Sequence, residues 1–254
     1  MLYDIPSTPT LSFIVVYGSL IFEPNDADPT DHKYFDAEYI MVNGGYVEIG
    51  TEDYPFSSKL TITMHGSESN PYIPTYGNKV LAVRFGQLEM HGMPRSHVWT
   101  DLKSTAVAGA TSITLNDVTG LMLDWQIGEE IVIASTDYTG KHAEQRKITG
   151  VTMRGTNPVI TFDEPLEWEH FAMTQTFGAD TIDMRAEVGL LSRNVVYRGD
   201  PETSFTNQYG AHIMLHSPGD ESVVGRIENC EFYDVGQAFK LGRYPIHFHM
   251  IGTV

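Results

Sequence analysis

The chain has 254 residues, a mass of 28.4 kDa, and 33 Asp and Glu against 16 Lys and Arg, for a net charge of −17. That balance leaves no basic face for a phosphate backbone, so it excludes nucleic acid as a partner and disfavours anionic membrane surfaces. A single cysteine, Cys230, excludes an internal disulfide framework, and no stretch reaches the roughly 18 apolar residues of a spanning helix. The N-terminus has no basic segment leading into an apolar run, so a chain that works outside the cell is expected to be a processed or truncated piece.

Short alternating runs of Val, Ile, Tyr, Phe and Thr, closed by glycines, predict strands throughout. Only Tyr138–Lys147 and Pro165–Phe171 suit a turn of helix. Residues 1–100 carry an internal repeat: Phe13–Phe22, Tyr39–Gly50 and Val80–Gly92 each read as strand, glycine corner, short strand, and Thr61–Gly66 repeats the second half. A β-solenoid of the right-handed parallel β-helix type explains this pattern, with uneven spacing absorbed by loops at the corners. An antiparallel sandwich is the alternative that periodicity leaves open.

Residues 101–178 read as an inserted small antiparallel β-barrel, with strands at Ala110–Leu115, Trp125–Ile133, Gln145–Val151 and Pro158–Phe162. Residues 179–254 return to the solenoid pattern with coil strands at Arg193–Gly199, Ala211–Leu215, Arg226–Tyr233 and Pro245–Met250. Asn194 and Asn229 occupy corner positions suited to hydrogen bonds with a neighbouring coil. No terminal cap is visible before Val254, which predicts that further segments of a longer parent, or a partner chain, cover an open solenoid end.

The segments Gly18–Phe22, Tyr39–Phe56, Leu60–Gly66, Tyr76–Lys79 and Leu88–Gly92 together resemble the G-eight (G8) domain of fibrocystin, fibrocystin-like proteins and the cell-surface hyaluronan-depolymerising proteins. Trp125–Tyr138, Arg185–Asn194 and Gly242–Met250 are similar to the region that leads into the parallel β-helix repeats of the same proteins. The sequence before the first repeat already looks like the interior of that domain, so the resemblance implies a middle slice: a truncated G8 domain, a barrel and the first β-helix coils. It also implies an extracellular or cell-surface setting on a membrane-associated parent. It does not choose between a fibrocystin-like structural or interaction module and a hyaluronidase-type glycan hydrolase.

Four residues are assigned a candidate catalytic role: Arg193, Asp200, His247 and His249. On a strand, His247 and His249 share a face, where two imidazoles could ligate a metal or exchange protons. His212 joins them as a third candidate ligand. The alternative is a pair bonded into neighbouring coils. Asp200 and Asp234, on adjacent coils, suit the spacing of two glycosidase carboxyls, with Arg193 nearby to hold a glycan. Arg185, Glu187 and Arg193 read alternatively as structural ion pairs. The acidic loop Glu23–Asp31 has the composition of a calcium loop without the order of an EF-hand, and a solvated loop is the competing reading. No cofactor is required by any motif.

Overall fold

The computed structural model describes residues 1–116 and 123–249. The chain divides into two units, 1–94 with 193–254 and 95–192. Pattern and structure agree that the first unit is a β-solenoid. Strands β1 (Leu2–Tyr3), β2 (Ile14–Val16), β3 (Ser19–Phe22), β4 (His32–Ala37), β5 (Tyr39–Asn43), β6 (Tyr46–Ile49), β7 (Lys59–Met64), β8 (Val80–Arg84) and β9 (Gln87–His91) precede the second unit. That unit contains β10 (Trp99–Asp101), β11 (Ser112–Thr114), β12 (Glu130–Ile133), β13 (Glu144–Arg154), β14 (Asn157–Phe162), β15 (Thr174–Phe177), β16 (Asp180–Asp183) and β17 (Glu187–Leu190). The first unit resumes with β18 (Val195–Gly199), helix α1 (Ser204–Asn207), β19 (His212–Leu215), β20 (Val224–Glu228) and β21 (Cys230–Tyr233).

In the solenoid, strands from successive turns stack in parallel into three sheets. Their orders are β1-β3-β6-β9-β20, β4-β7-β18-β21 and β2-β5-β8-β19. Each turn visits the three sheets in the same sequence, as in β4-β5-β6 and β7-β8-β9. The register runs straight across the inserted second unit: Leu60 pairs with Lys33 on one side and Val195 on the other. Alternate residues point inward and form continuous columns, such as Phe35, Ile62, Tyr197 and Phe232, or Leu20, Val47 and Leu88. These columns make up the core of the unit and bury their side chains at roughly 1.5–3 kcal/mol each. Tyr197 is fully buried, and its hydroxyl donates to the His212 carbonyl at 2.9 Å.

Corners are set by backbone that other residues would block. A Cβ on Gly45 would lie 2.4 Å from the Val16 carbonyl oxygen, and one on Gly92 would lie 2.3 Å from that of Asn229. Asn194 locks another corner: its amide nitrogen donates to the Phe56 and Ser58 carbonyls at 2.6 and 2.7 Å, and its oxygen accepts from Met93 at 2.8 Å. The stretch Arg226–Tyr233, expected as one strand, is two. Asn229 takes a left-handed φ of 53° and turns the chain from β20 in one sheet to β21 in another. The outer face of the β5-β8-β19 sheet is covered by Ile73 and Tyr76, which pack on Tyr39, Val80 and Ala82.

In the second unit, six antiparallel strands follow the order β10-β17-β12-β13-β14-β11. A bridge between Leu102 and Leu115 joins the two ends and closes a barrel. Its interior holds Ile113, Ile131, Ile133, Ile148, Ile160 and Val188. Strands β15 and β16 form a separate hairpin exposed along its whole length. One turn of 3₁₀ helix at Gly140–His142 lies within Tyr138–Lys147; Pro165–Phe171 is not helical.

Candidate functional site

Asp200 follows β18, with its side chain turned into the solenoid. One carboxylate oxygen lies 2.6 Å from the Lys79 ammonium; the other accepts from the Thr203 amide at 2.9 Å and the Thr203 hydroxyl at 2.6 Å. Lys79, fully buried, also donates to Ser204 Oγ at 2.8 Å and the Tyr209 carbonyl at 3.1 Å. All three ammonium protons are thereby used, so Lys79 is no base for Ser204, and Ser204 is an acceptor here rather than a nucleophile. Burial pushes the Asp200 carboxyl up, but hydrogen bonds from Lys79 and Thr203 outweigh it and hold it below its ordinary value. The group is a lock that fastens α1 to the turn before β8.

The other sequence-assigned residues lie apart from it. Arg193 precedes β18, and its backbone amide donates to Glu231 at 2.8 Å. It stands on the order of 20 Å from Asp200 along the strand. Asp234 forms the corner after β21 with φ 50°, and its carbonyl accepts from Ala211. His247 and His249 are exposed and not on a strand. Their rings face each other with Nε2 and Nδ1 3.4 Å apart. The strand expected over Pro245–Met250 is absent from its described part; Met250 and the end at Val254 lie outside the described residues. The turn before it is closed by Gln237 bonding the Arg243 carbonyl, which leads into Pro245, a residue with no amide proton for a ladder.

His212 is buried on β19. Its Nε2 donates to the Tyr76 carbonyl at 3.0 Å, and its Nδ1 accepts from the Gln237 amide at 3.3 Å. Burial pushes its pKa down to about 4. Among the described residues no group of three or more His, Cys, Asp or Glu is arranged to hold a metal. In the acidic loop, Asp31 pairs with Lys33 at 2.8 Å, Asp28 bonds Thr30, and Asp26 accepts from Ser57 at 2.5 Å. Arg185 pairs with Asp183 and Asp101, not with Glu187 as the ion-pair alternative had it.

Sequence reasoning assigned no role to the outer face of the β3-β6-β9-β20 sheet. Here Glu48, Glu89 and Arg226 are register partners on three successive strands, beside Tyr46, Gln87, His91 and Glu228. Glu89 is the hub. It accepts from Gln87 Nε2 at 2.5 Å, from His91 Nε2 at 2.7 Å and from Arg226. Tyr46 donates to Glu48 at 2.5 Å, and His91 Nδ1 lies 3.4 Å from Glu228. Burial works to raise the Glu89 carboxyl, and the bonds from His91, Gln87 and Arg226 win, so it stays ionised. The polar alternation Gln87, Glu89, His91 was visible in the sequence. The cation that completes the group, Arg226, comes from beyond the barrel and was not.

Glu48 and Glu89 stand one strand apart, about 4.8 Å between backbones, but Glu89 is buried with its oxygens engaged, which leaves Glu48 and Glu228 as the carboxylates this face offers to a ligand. A glycosidase acid must instead keep its proton, with a raised pKa. Among the described residues, every carboxyl that its surroundings clearly shift is shifted down.

Comparisons with known proteins match both ends of the solenoid unit. A family model described as the G8 domain matches residues 1–103, and one described as the CEMIP beta-helix matches residues 208–254. Fibrocystin-L of Mus musculus is 36% identical over 284 residues, covering 98% of this chain and 6% of the relative. Fibrocystin-L of Homo sapiens gives the same figures. Communication mutant protein F of Dictyostelium discoideum is 27% identical over 85% of this chain and 18% of its own length. A solved structure, the Gp54 tailspike of an Acinetobacter baumannii bacteriophage, is 10% identical with a TM-score of 0.28 over 86% of this chain and 29% of that one, too low to carry weight. The chain is a G8-domain β-helix protein. Within that class it belongs to the fibrocystin-like family, and it spans 6% of the length of its Fibrocystin-L relatives.

Proposed function

We propose that the chain is a structural and interaction module of a larger extracellular or cell-surface protein rather than a glycan-cleaving unit. The observation that carries this reading is the fate of Asp200: the carboxylate best placed for chemistry on the β-helix is committed to a buried ion pair with Lys79. The strand edges of β19, β20 and β21, each with one neighbouring strand among the described residues, suit cover by other segments of the parent or by a partner chain. No described helix is long and apolar enough to cross a membrane.

The test incubates the purified chain, and separately its full-length parent, with hyaluronan and other glycans, with and without a calcium chelator. Unchanged glycan length with the chain alone is expected; any shortening overturns the reading. A hydrolase is the second reading, in which the outer face of the β6-β9-β20 sheet would face the glycan, with Glu48 and Glu228 outermost and the buried Glu89 held by Arg226 and His91. It requires that Glu89→Gln abolish cleavage by the parent while binding persists.

A further inference from the structure

Seven tyrosines are substantially exposed: Tyr17, Tyr34, Tyr54, Tyr72, Tyr138, Tyr233 and Tyr244. They differ in the charge beside them. Neither Tyr17 nor Tyr72 has an acidic residue within two positions, and Tyr244 follows Arg243. Tyr138 follows Asp137, but that carboxylate is held by His142 and Thr139. Tyr233 has one acidic neighbour on each side: Glu231 accepts from Arg193, and Asp234 is half-buried at the left-handed corner after β21. Tyr34 stacks on His32 and follows Lys33. Tyr54 stands out: it is 81% exposed, and it follows Glu52 and Asp53, both exposed and without a hydrogen-bond or ion-pair partner among the described residues.

The local backbone presents this tyrosine. Gly50, at φ 68°, and Phe56, fully buried and bonded to the His91 carbonyl at 2.8 Å, anchor the two ends of a five-residue corner. Within it, Thr51 donates to the Tyr54 carbonyl at 2.9 Å, and Tyr54 donates its amide to Thr51 Oγ1 at 3.1 Å. Pro55 follows, and no Lys or Arg lies within four residues of Tyr54. The result is a phenol raised on a rigid turn with two uncommitted carboxylates on its N-terminal side.

We propose that Tyr54 is a site of O-sulfonation. An enzyme that holds a doubly anionic nucleotide phosphosulfate needs a cationic cleft, and such a cleft selects acceptor phenols flanked by free carboxylates. In the transfer, Tyr54 Oη attacks sulfur and a new O–S bond forms. The bond from sulfur to the bridging phosphate oxygen breaks, the nucleotide leaves as its phosphate, and the phenolic proton passes to a base of the transferase. The product carries a fixed negative charge with three acceptor oxygens, the chemistry that arginine clusters of a partner recognise. This rests on the extracellular reading above, since a secretory route brings the chain to the donor.

The experiment has two arms. In the first, purified chain is incubated with a tyrosine sulfotransferase and radiolabelled phosphosulfate, and peptide 34–59 is mapped by mass spectrometry. One added SO₃ at Tyr54 is expected, lost in Tyr54→Phe and reduced roughly tenfold in Glu52→Gln/Asp53→Asn. Absence of label, label at another tyrosine, or no effect of the carboxamide pair overturns the proposal. In the second, the native parent is surface-biotinylated and its Tyr54 peptide analysed. Modification that resists phosphatase supports the site, while an unmodified or phosphatase-labile Tyr54 on a surface-labelled parent overturns it. A parent that never reaches the surface overturns the extracellular reading and the modification together, and the biotin readout tells the two failures apart.

Discussion

Lys79 and Asp200 lie 121 positions apart in sequence and 2.6 Å apart in space, with the lysine side chain wholly out of water. The pair joins the turn before β8 to the end of β18, two coils separated by the entire barrel. Removing the cation strands a buried carboxylate. Lys79→Ala is expected to cost about 3 kcal/mol, and Lys79→Met with Asp200→Asn together distinctly less, because a neutral pair leaves no buried charge. Urea denaturation of the three proteins checks the ordering.

His212 gives the solenoid a pH dependence of known sign. Its folded pKa of about 4 lies below the unfolded value of 6.5, so the unfolded chain binds the proton more readily. Its contribution is complete above pH 6.5, falls as pH drops towards 4, and is level below that. The full loss is about 3 kcal/mol. His212→Gln should flatten stability between pH 6.5 and 4 relative to the parent chain, as measured by denaturant midpoints at each pH. An unchanged slope would show that other groups set it.

Two glycines separate packing from conformation. At Gly45 a methyl would meet three backbone atoms within 2.8 Å, which can yield only if coils part. At Gly109, φ is 85° with open space around it. Gly45→Ala should lower stability by more than about 3 kcal/mol, and Gly109→Ala by about 1 kcal/mol from backbone strain alone. Thermal melts of the two variants make the comparison.

In the barrel, His170 is fully buried. Its Nδ1 faces the Ala134 carbonyl at 2.8 Å and its Nε2 faces Glu144 at 2.9 Å. The ring thus ties the residue after β12 to the start of β13. Glu144 in turn receives the amides of Glu167 and Trp168. His170→Ala should cost about 3 kcal/mol and loosen the 164–171 segment, raising its amide exchange ahead of β12 and β13.

The solenoid was legible because its corners repeat: Gly18, Gly45 and Gly86 precede the register partners Ser19, Tyr46 and Gln87 in successive coils. The barrel strands β12 to β14 were legible from alternation. What escaped depended on partners distant in the chain. β10 and β17 are short, and pairing with distant strands makes them visible: β10 with β17, and β17 also with β12. The β15–β16 hairpin buries neither face, so it leaves no hydrophobic period to read. Asn229 breaks one apparent strand into two by a single left-handed residue. The role of Asp200 needed Lys79, and that of Glu89 needed Arg226, each more than a hundred positions away. His247 and His249 were expected on one face of a strand; they lie instead in an exposed irregular segment, with ring nitrogens 3.4 Å apart.

The register that passes from β7 to β18 has a kinetic consequence. To add its fourth turn, the solenoid must close a loop of about a hundred residues, at an entropic cost near 5 kcal/mol if that loop is unstructured. A barrel that has already folded shortens the effective excursion to the distance between its own ends, the Arg95 and Ser192 sides of β10 and β17, which pair directly. The insertion then acts as an internal staple: it holds the two halves of the helix within reach of each other, so the growth of the solenoid past its third turn is timed by the folding of the domain that interrupts it.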